Sequence, residues 1–116
     1  ATTVRDYVLG SINRQPSVAE LAQMKKLVQV AMQEGALGVG SSLIYAPATF
    51  AATSELVALA EVAGRYGGIY ATHLRSESDD ILTALDEAFR IGYEAKVPVE
   101  IYHLKINHAR NWNKID

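Results

Sequence analysis

The chain has 116 residues, of which 49% are hydrophobic and 21% are charged. This length and composition predict one small domain with an ordinary hydrophobic core, and they argue against disorder. The formal net charge is −2, and the lysines and arginines are scattered, so no basic surface for nucleic acid is expected. Because the chain has no cysteine, it has neither a disulfide nor a thiolate ligand, which fits a cytoplasmic location.

Neither a membrane span nor a signal peptide is expected. No apolar run approaches the roughly 20 residues needed to cross a bilayer. The first six residues lack the charged and then apolar layout of a secretion signal. We therefore expect no membrane partner.

The first predicted element is a helix that begins at a capping box. Ser17 is followed three residues later by Glu20, and apolar residues then recur at helical spacing as far as Ala31. Gly35 is expected to end this helix. The glycine-rich run 38–45 follows and is predicted to form the first strand.

Two helices and two strands then alternate. The second helix is predicted to begin at Thr53, and the strand 68–73 follows it after a pair of glycines. The third helix is predicted to begin near Ser78 or Asp79, and the strand 97–103 follows it. The buried stripe of this third helix is predicted to consist of Ile81, Leu85, Ala88, Phe89 and Gly92.

This alternation predicts an α/β fold with a parallel sheet and right-handed crossovers. The three strand ends, near Leu43, at His73 and at His103, are 30 residues apart, which is about one strand–helix repeat of an α/β barrel. A complete barrel takes roughly 250 residues. We therefore predict that residues 1–116 are a fragment of a (β/α) TIM-type barrel with about three parallel strand–helix units.

His73 and His103 are the strongest candidates for a functional site. Each ends a strand-like run, and parallel neighbouring strands would bring both imidazoles to the carboxyl-end rim, where barrel enzymes place their chemistry. Two histidines at one rim are half of a metal site. The alternative is that each is a packed or solvated side chain whose ring nitrogens are satisfied by the backbone.

Strand alternation predicts which side chains share a face with these histidines. Side chains two apart point the same way, so Ile101, His103 and Lys105 are expected together. Arg75 is expected beside His73 if the extended geometry persists. The alternative for Lys105 and Arg75 is a solvated loop cation. The side chains expected to face the helices are Tyr70, Tyr102 and Leu104.

Four stretches of the sequence together form a family pattern. They are Glu34-Gly35-Ala36-Leu37-Gly38, Leu43-Ile44-Tyr45-Ala46-Pro47, Tyr66-Gly67-Gly68-Ile69-Tyr70-Ala71-Thr72-His73-Leu74-Arg75-Ser76-Glu77 and Val97-Pro98-Val99-Glu100-Ile101-Tyr102-His103-Leu104-Lys105. In this order and spacing they resemble the N-acyl-D-amino-acid deacylases (D-aminoacylases) of the amidohydrolase superfamily. The resemblance implies a metal-dependent (β/α) barrel in which this chain forms the fourth, fifth and sixth strand units.

The resemblance also implies roles for individual residues. His73 and His103 match zinc-binding histidines, which bind as neutral imidazoles. Lys105 and Tyr45 match positions that contact the substrate carboxylate or the acyl group, and Arg75 is adjacent to the site. Zinc as the cofactor would polarise the amide carbonyl of a small N-acyl amino acid substrate and make bound water more acidic, and an aspartate would transfer the proton.

Part of the family's machinery has no counterpart in these residues. The His-x-His pair, the metal-bridging cysteine and the catalytic aspartate are absent, so no residue of this chain is predicted to be catalytic. The aspartates Asp79, Asp80, Asp86 and Asp116 lie at a helix start, within a helix or at the terminus. The run 40–43 offers no lysine for carboxylation, which weakens a dihydroorotase-like alternative. His108 is a further candidate ligand, although a solvated loop residue is expected there.

Two classes of function follow from these observations. The first is a segment of a zinc-dependent amidohydrolase that acts on N-acyl-D-amino acids and is inactive alone. The second is a catalytically inert folded fragment or a self-associating structural module, because the open sheet edges would associate with copies of the chain. A further alternative is a cyclic amidase of the dihydropyrimidinase type.

Overall fold

The computed structural model describes residues 1–114, and Asp116, which the sequence placed at the terminus, lies outside the described residues. Four α-helices and three strands make up most of this part of the chain. They are α1 (Thr2–Leu9), α2 (Val18–Gln33), β1 (Gly38–Ser42), α3 (Thr53–Gly64), β2 (Ile69–His73), α4 (Ile81–Ala95) and β3 (Val99–Ile101). Two short 3-10 helices, Ala48–Phe50 and Ala109–Lys114, follow β1 and β3.

The three strands form one parallel sheet in the order β1-β2-β3. Helix α3 connects β1 to β2, and α4 connects β2 to β3. On the helix side, the Ser41 hydroxyl forms hydrogen bonds with Tyr70 Oη (2.7 Å) and Thr72 Oγ1 (2.9 Å), which join β1 to β2 in the buried layer. The predicted α/β arrangement of three parallel strand–helix units is confirmed.

Helix α2 begins at the predicted capping box. The Ser17 side chain accepts a hydrogen bond from the Glu20 backbone N–H (3.2 Å), and the Glu20 carboxylate accepts one from the Ser17 N–H (2.8 Å). This reciprocal pair satisfies two N–H groups that have no partner within the helix. Gly35, with φ +101°, follows the helix end as expected.

Helix α1 was not predicted from the sequence. Its Arg5 is 1% exposed and forms a buried ion pair with Glu55 of α3. A charged residue on the buried face hides the apolar pattern by which an amphipathic helix is recognised. The pair offsets part of the cost of burying the two charges and connects α1 to α3.

Two apolar clusters hold the helices against the sheet. The larger lies between the four helices and the helix side of β1 and β2, and its fully buried members include Met24, Leu56, Leu59, Tyr70 and Ile91. The smaller consists of Leu74, Ile81, Ala84 and Ala88, with Leu85, Val99, Ile101 and Ile106 packed against it. It lies beneath the carboxyl ends of β2 and β3. Phe89 was expected in the buried stripe of α4, but it is 60% exposed.

The opposite face of the sheet carries small side chains and is not covered by a helix within residues 1–114. A Cβ on Gly38 would collide with the backbone oxygen of Ile69, so only glycine fits there. Tyr102 lies on this face beside Gly40, so the expectation that it faces the helices was wrong. Ile101 was expected to share a face with His103 and Lys105. It packs on the helix side of the sheet, because it pairs with the buried Thr72. Leu104, also expected to face the helices, is 50% exposed.

Within residues 1–114, no helix combines the length and the apolar character that a membrane span requires.

Candidate metal centre

The two predicted histidines lie side by side at the carboxyl ends of neighbouring strands. His73 is the last residue of β2, and His103 lies in the turn that follows β3. Their ring centroids are 4.7 Å apart in a T-shaped arrangement. The route to this proximity differs from the prediction, because β3 ends at Ile101 and strand alternation therefore does not direct His103. A backbone φ of +31° at His103 belongs to the turn that brings its ring to His73.

A third side chain, Glu77, joins the two imidazoles. Its Oε1 lies 3.3 Å from His73 Nε2 and 3.3 Å from His103 Nδ1. The residue is 5% exposed. Potential ligand atoms of His73, Glu77 and His103 all lie within 4.8 Å of one another. No role was predicted for Glu77 from the sequence, although it lies in the family stretch 66–77, four residues after His73.

The donor set suits zinc. Imidazole nitrogens are ordinary zinc ligands, and the metal in a catalytic site must keep one position open. The His73 side chain is 12% exposed and the His103 side chain 52%, so the cluster reaches solvent on one side. His73 Nδ1 lies 2.9 Å from Leu74 O, which restrains the orientation of that ring. The residues present therefore fit a zinc ion.

Lys105 and Tyr45 lie at the edge of the cluster. The Nζ atom of Lys105 is 3.4 Å from Glu77 Oε2, and its side chain is 54% exposed. The Tyr45 ring centroid is 6.0 Å from that of His73, and Tyr45 is 63% exposed. The structure therefore places both predicted substrate contacts next to the histidines.

Arg75 does not join this cluster. The extended geometry ends at His73, and the Arg75 guanidinium makes two hydrogen bonds of 2.8 Å to Glu87 of α4. It also donates to Thr49 O (2.8 Å) and Ala51 O (2.9 Å). Arg75 therefore connects α4 to the loop that follows β1, which also carries Tyr45.

Replacing Arg75 by lysine is expected to destabilise the fold by about 1–3 kcal/mol, because lysine cannot keep the bidentate geometry and the carbonyl contacts together. Arg90→Lys is the matched control, since the Arg90–Glu94 pair is exposed and such pairs contribute about 0–1 kcal/mol. Chemical unfolding of both variants measures the difference. Equal stabilities of the two variants would contradict the connecting role of Arg75.

The other candidates lie apart from the cluster. His108 is exposed and is not among the clustered ligand groups. The Asp79 carboxylate accepts hydrogen bonds from Arg110 (2.8 and 2.9 Å) and Asn111 (3.0 Å). These bonds, Arg110 first, hold the pKa of Asp79 well below its usual range. Asp80 occupies the position before α4, and Asp86 is exposed on that helix.

Two histidines at the ends of adjacent parallel strands, with a buried glutamate between them in sequence, form the kind of donor cluster that metal-dependent (β/α)-barrel enzymes carry at that rim. No family model matches the chain. The chain is 39% identical over 113 residues to D-aminoacylase from Alcaligenes xylosoxydans xylosoxydans, covering 97% of this chain and 23% of that protein. It is 40% identical over 120 residues to N-acyl-D-aspartate deacylase from the same organism, covering 99% and 24%.

Comparison with solved structures also shows similarity to N-acyl-D-amino-acid deacylases. A crystal structure of D-aminoacylase, described as defining a novel subset of amidohydrolases, superposes with a TM-score of 0.92 at 36% identity. N-acyl-D-glutamate deacylase from Bordetella bronchiseptica, complexed with zinc and a phosphonate mimic of the tetrahedral intermediate, gives 0.89 at 28% identity. Each match covers 97% of this chain and 24% of the other.

The chain thus spans about a quarter of the length of the relatives it matches. Over nearly its whole length it is similar in sequence and in fold to one segment of the D-aminoacylases. The family resemblance predicted from the four sequence stretches is confirmed.

Proposed function

We propose that this chain is a segment of a zinc-dependent amidohydrolase that hydrolyses N-acyl-D-amino acids to a carboxylate and a free D-amino acid. The observation that carries the proposal is the convergence of His73 and His103, with ring centroids 4.7 Å apart, at the carboxyl ends of neighbouring parallel strands. The similarity to three deacylases that act on N-acyl-D-amino acids supports the choice of substrate class.

His73 and His103 are the proposed protein ligands of the zinc ion. When bound, zinc would supply Lewis-acid polarisation of the amide carbonyl and activation of water. The partial burial of His73 limits access from one side, while the exposed ring of His103 leaves room for substrate. The role of this chain in metal binding is to hold two imidazoles close together, one at the end of β2 and one in the turn after β3.

Lys105 and Tyr45 are the proposed substrate contacts. The Lys105 ammonium group supplies positive charge next to the histidines, and an N-acyl amino acid carries a carboxylate that such a charge attracts. The Tyr45 hydroxyl group can donate a hydrogen bond at the other edge of the cluster. Arg75 supports this site indirectly, through its contacts to the loop after β1.

The remaining parts of the catalytic apparatus are assigned to other regions of the longer protein. The proton-transferring aspartate and further metal ligands would come from strands that continue the barrel beyond β1 and β3. Closure of the barrel would cover the small-residue face of the sheet. We further propose that this protein is cytoplasmic and has neither a nucleic acid nor a membrane as partner.

The test is an assay of the longer protein on matched pairs of N-acetyl-D- and N-acetyl-L-amino acids. We expect hydrolysis of the D substrates, loss of that activity on treatment with a chelator and recovery on addition of zinc. Equal rates on both enantiomers, or hydrolysis that persists when metal analysis shows no bound zinc, would contradict the proposed function.

A second candidate function is favoured by the exposed apolar side chains of the chain alone, among them Leu37 (86% exposed) and Tyr93 (87%). These support a self-associating structural module if the chain occurs without further barrel strands. The cyclic-amidase alternative has no such support, since the relatives compared above are deacylases of N-acyl-D-amino acids.

A further inference from the structure

The segment that carries His103 and Lys105 lies beyond the end of its strand. Strand β3 ends at Ile101, and residues 102–108 form a turn and an irregular stretch before the last 3-10 helix. We name residues 102–108 the β3 loop. Its first residue still bonds to the sheet, because the Tyr102 N–H donates to Thr72 O (2.9 Å), and its Ile106 packs on the smaller core cluster. Hydrogen bonds and ion pairs must therefore restrain the rest of the β3 loop.

Glu77 contacts the β3 loop with both its main chain and its side chain. Its backbone oxygen accepts a hydrogen bond of 2.6 Å from the Asn107 N–H. Its Oε1 lies 3.3 Å from His103 Nδ1, and its Oε2 lies 3.4 Å from Lys105 Nζ. One residue thus touches the β3 loop at three positions, two of which are the proposed metal ligand and the proposed substrate contact.

The Glu77 carboxylate is more deeply buried than the two β3-loop side chains that it contacts. The Glu77 side chain is 6% exposed, whereas those of His103 and Lys105 are 52% and 54% exposed. A buried carboxylate is costly unless donors or cations surround it. Its contacts with His73, His103 and Lys105 therefore stabilise Glu77, and the buried carboxylate in turn restrains these side chains.

We propose that Glu77 is a positioning residue that sets the place of His103 at the metal centre and of Lys105 at the substrate carboxylate. The inference rests on the proposed function, since it assigns roles to those two residues. Oε1 contacts both histidines and Oε2 contacts Lys105, so a single side chain couples metal binding to substrate binding. Glu77 acts through the side chains of His103 and Lys105 that it contacts.

The test uses Glu77→Gln in the longer protein, because glutamine keeps the shape of the side chain and removes its charge. We expect zinc affinity, measured by competition with a chelator, to fall about 10- to 100-fold, as for other residues that orient metal ligands. We also expect KM for the N-acyl-D-amino acid to rise. Glu94→Gln is the control, since Glu94 pairs with Arg90 on the exposed side of α4, and it should change neither quantity.

A double-mutant cycle with Lys105→Met tests the coupling. The effects of the two substitutions on KM are expected to be non-additive, because both remove the same contact. Unchanged zinc affinity and KM in Glu77→Gln, or strictly additive effects on KM, would overturn the proposal. So would X-ray absorption showing one protein ligand fewer on zinc in Glu77→Gln, since Glu77 would then be a ligand itself.

Glu77→Asp keeps the negative charge on a shorter side chain. This variant is measured if Glu77→Gln does not fold. An increase in KM is expected for it, and values of KM and zinc affinity equal to those of the unsubstituted protein would overturn the positioning role. Failure of the unsubstituted protein to bind zinc or to hydrolyse substrate would instead contradict the proposed function. The two failures are therefore distinguishable.

Discussion

Replacing His73 or His103 by alanine in the longer protein is expected to lower zinc affinity by more than about 100-fold, since each replacement removes a ligand rather than a residue that orients one. Hydrolysis is expected to fall by about 10³-fold or more, because a metal supplies several kcal/mol of transition-state stabilisation and about 1.4 kcal/mol corresponds to a factor of ten. Metal analysis of the purified variants and their steady-state rates measure both effects.

His108→Asn is the matched control for these two substitutions. His108 is the remaining histidine of the chain, it is exposed, and it has a positive φ of 69°, which asparagine tolerates. Zinc content and activity are expected to be unchanged. If His73→Ala or His103→Ala retained the original zinc affinity, or if His108→Asn lost zinc to the same degree, the assignment of the two ligands would be wrong.

The 116-residue chain expressed by itself is expected to self-associate and to have no deacylase activity. Strands β1 and β3 each pair only with β2 within residues 1–114, so both leave an unpaired edge. Unpaired strand edges and exposed apolar surface favour association between copies of the chain. Activity is expected to be absent because the aspartate that transfers the proton in the D-aminoacylases has no counterpart among these residues, and general acid–base catalysis contributes about 10² to 10⁴ in rate.

Light scattering across a concentration series measures the association, and an assay with N-acetyl-D-amino acids measures the activity. The double substitution Leu37→Lys and Phe89→Lys adds charge at one exposed apolar position beside β1 and one on α4, and it is expected to reduce the association. A monomer at high concentration, or turnover by the chain purified free of any full-length enzyme, would show that the chain functions as a complete domain.

Much of the fold was predictable from the sequence because it depends on local patterns. The capping box at Ser17 and the alternation of helical and strand-like runs are properties of neighbouring residues, and the structure contains them. The proximity of His73 and His103 was also predictable, since equal spacing along consecutive parallel units places equivalent residues at one rim. Helix α1 was missed because its buried Arg5 finds its partner, Glu55, 50 residues away.

The tertiary structure alone decided how the site is completed beyond the strand ends. Period-two alternation holds only while the backbone is extended, so it could not predict that Arg75 turns to Glu87 or that His103 reaches His73 through a turn. Glu77 carries no periodic pattern, and its role depends on contacts with a loop about 30 residues further along the chain. The sequence determined which residues could meet at the rim, whereas loop geometry and burial determined which of them do.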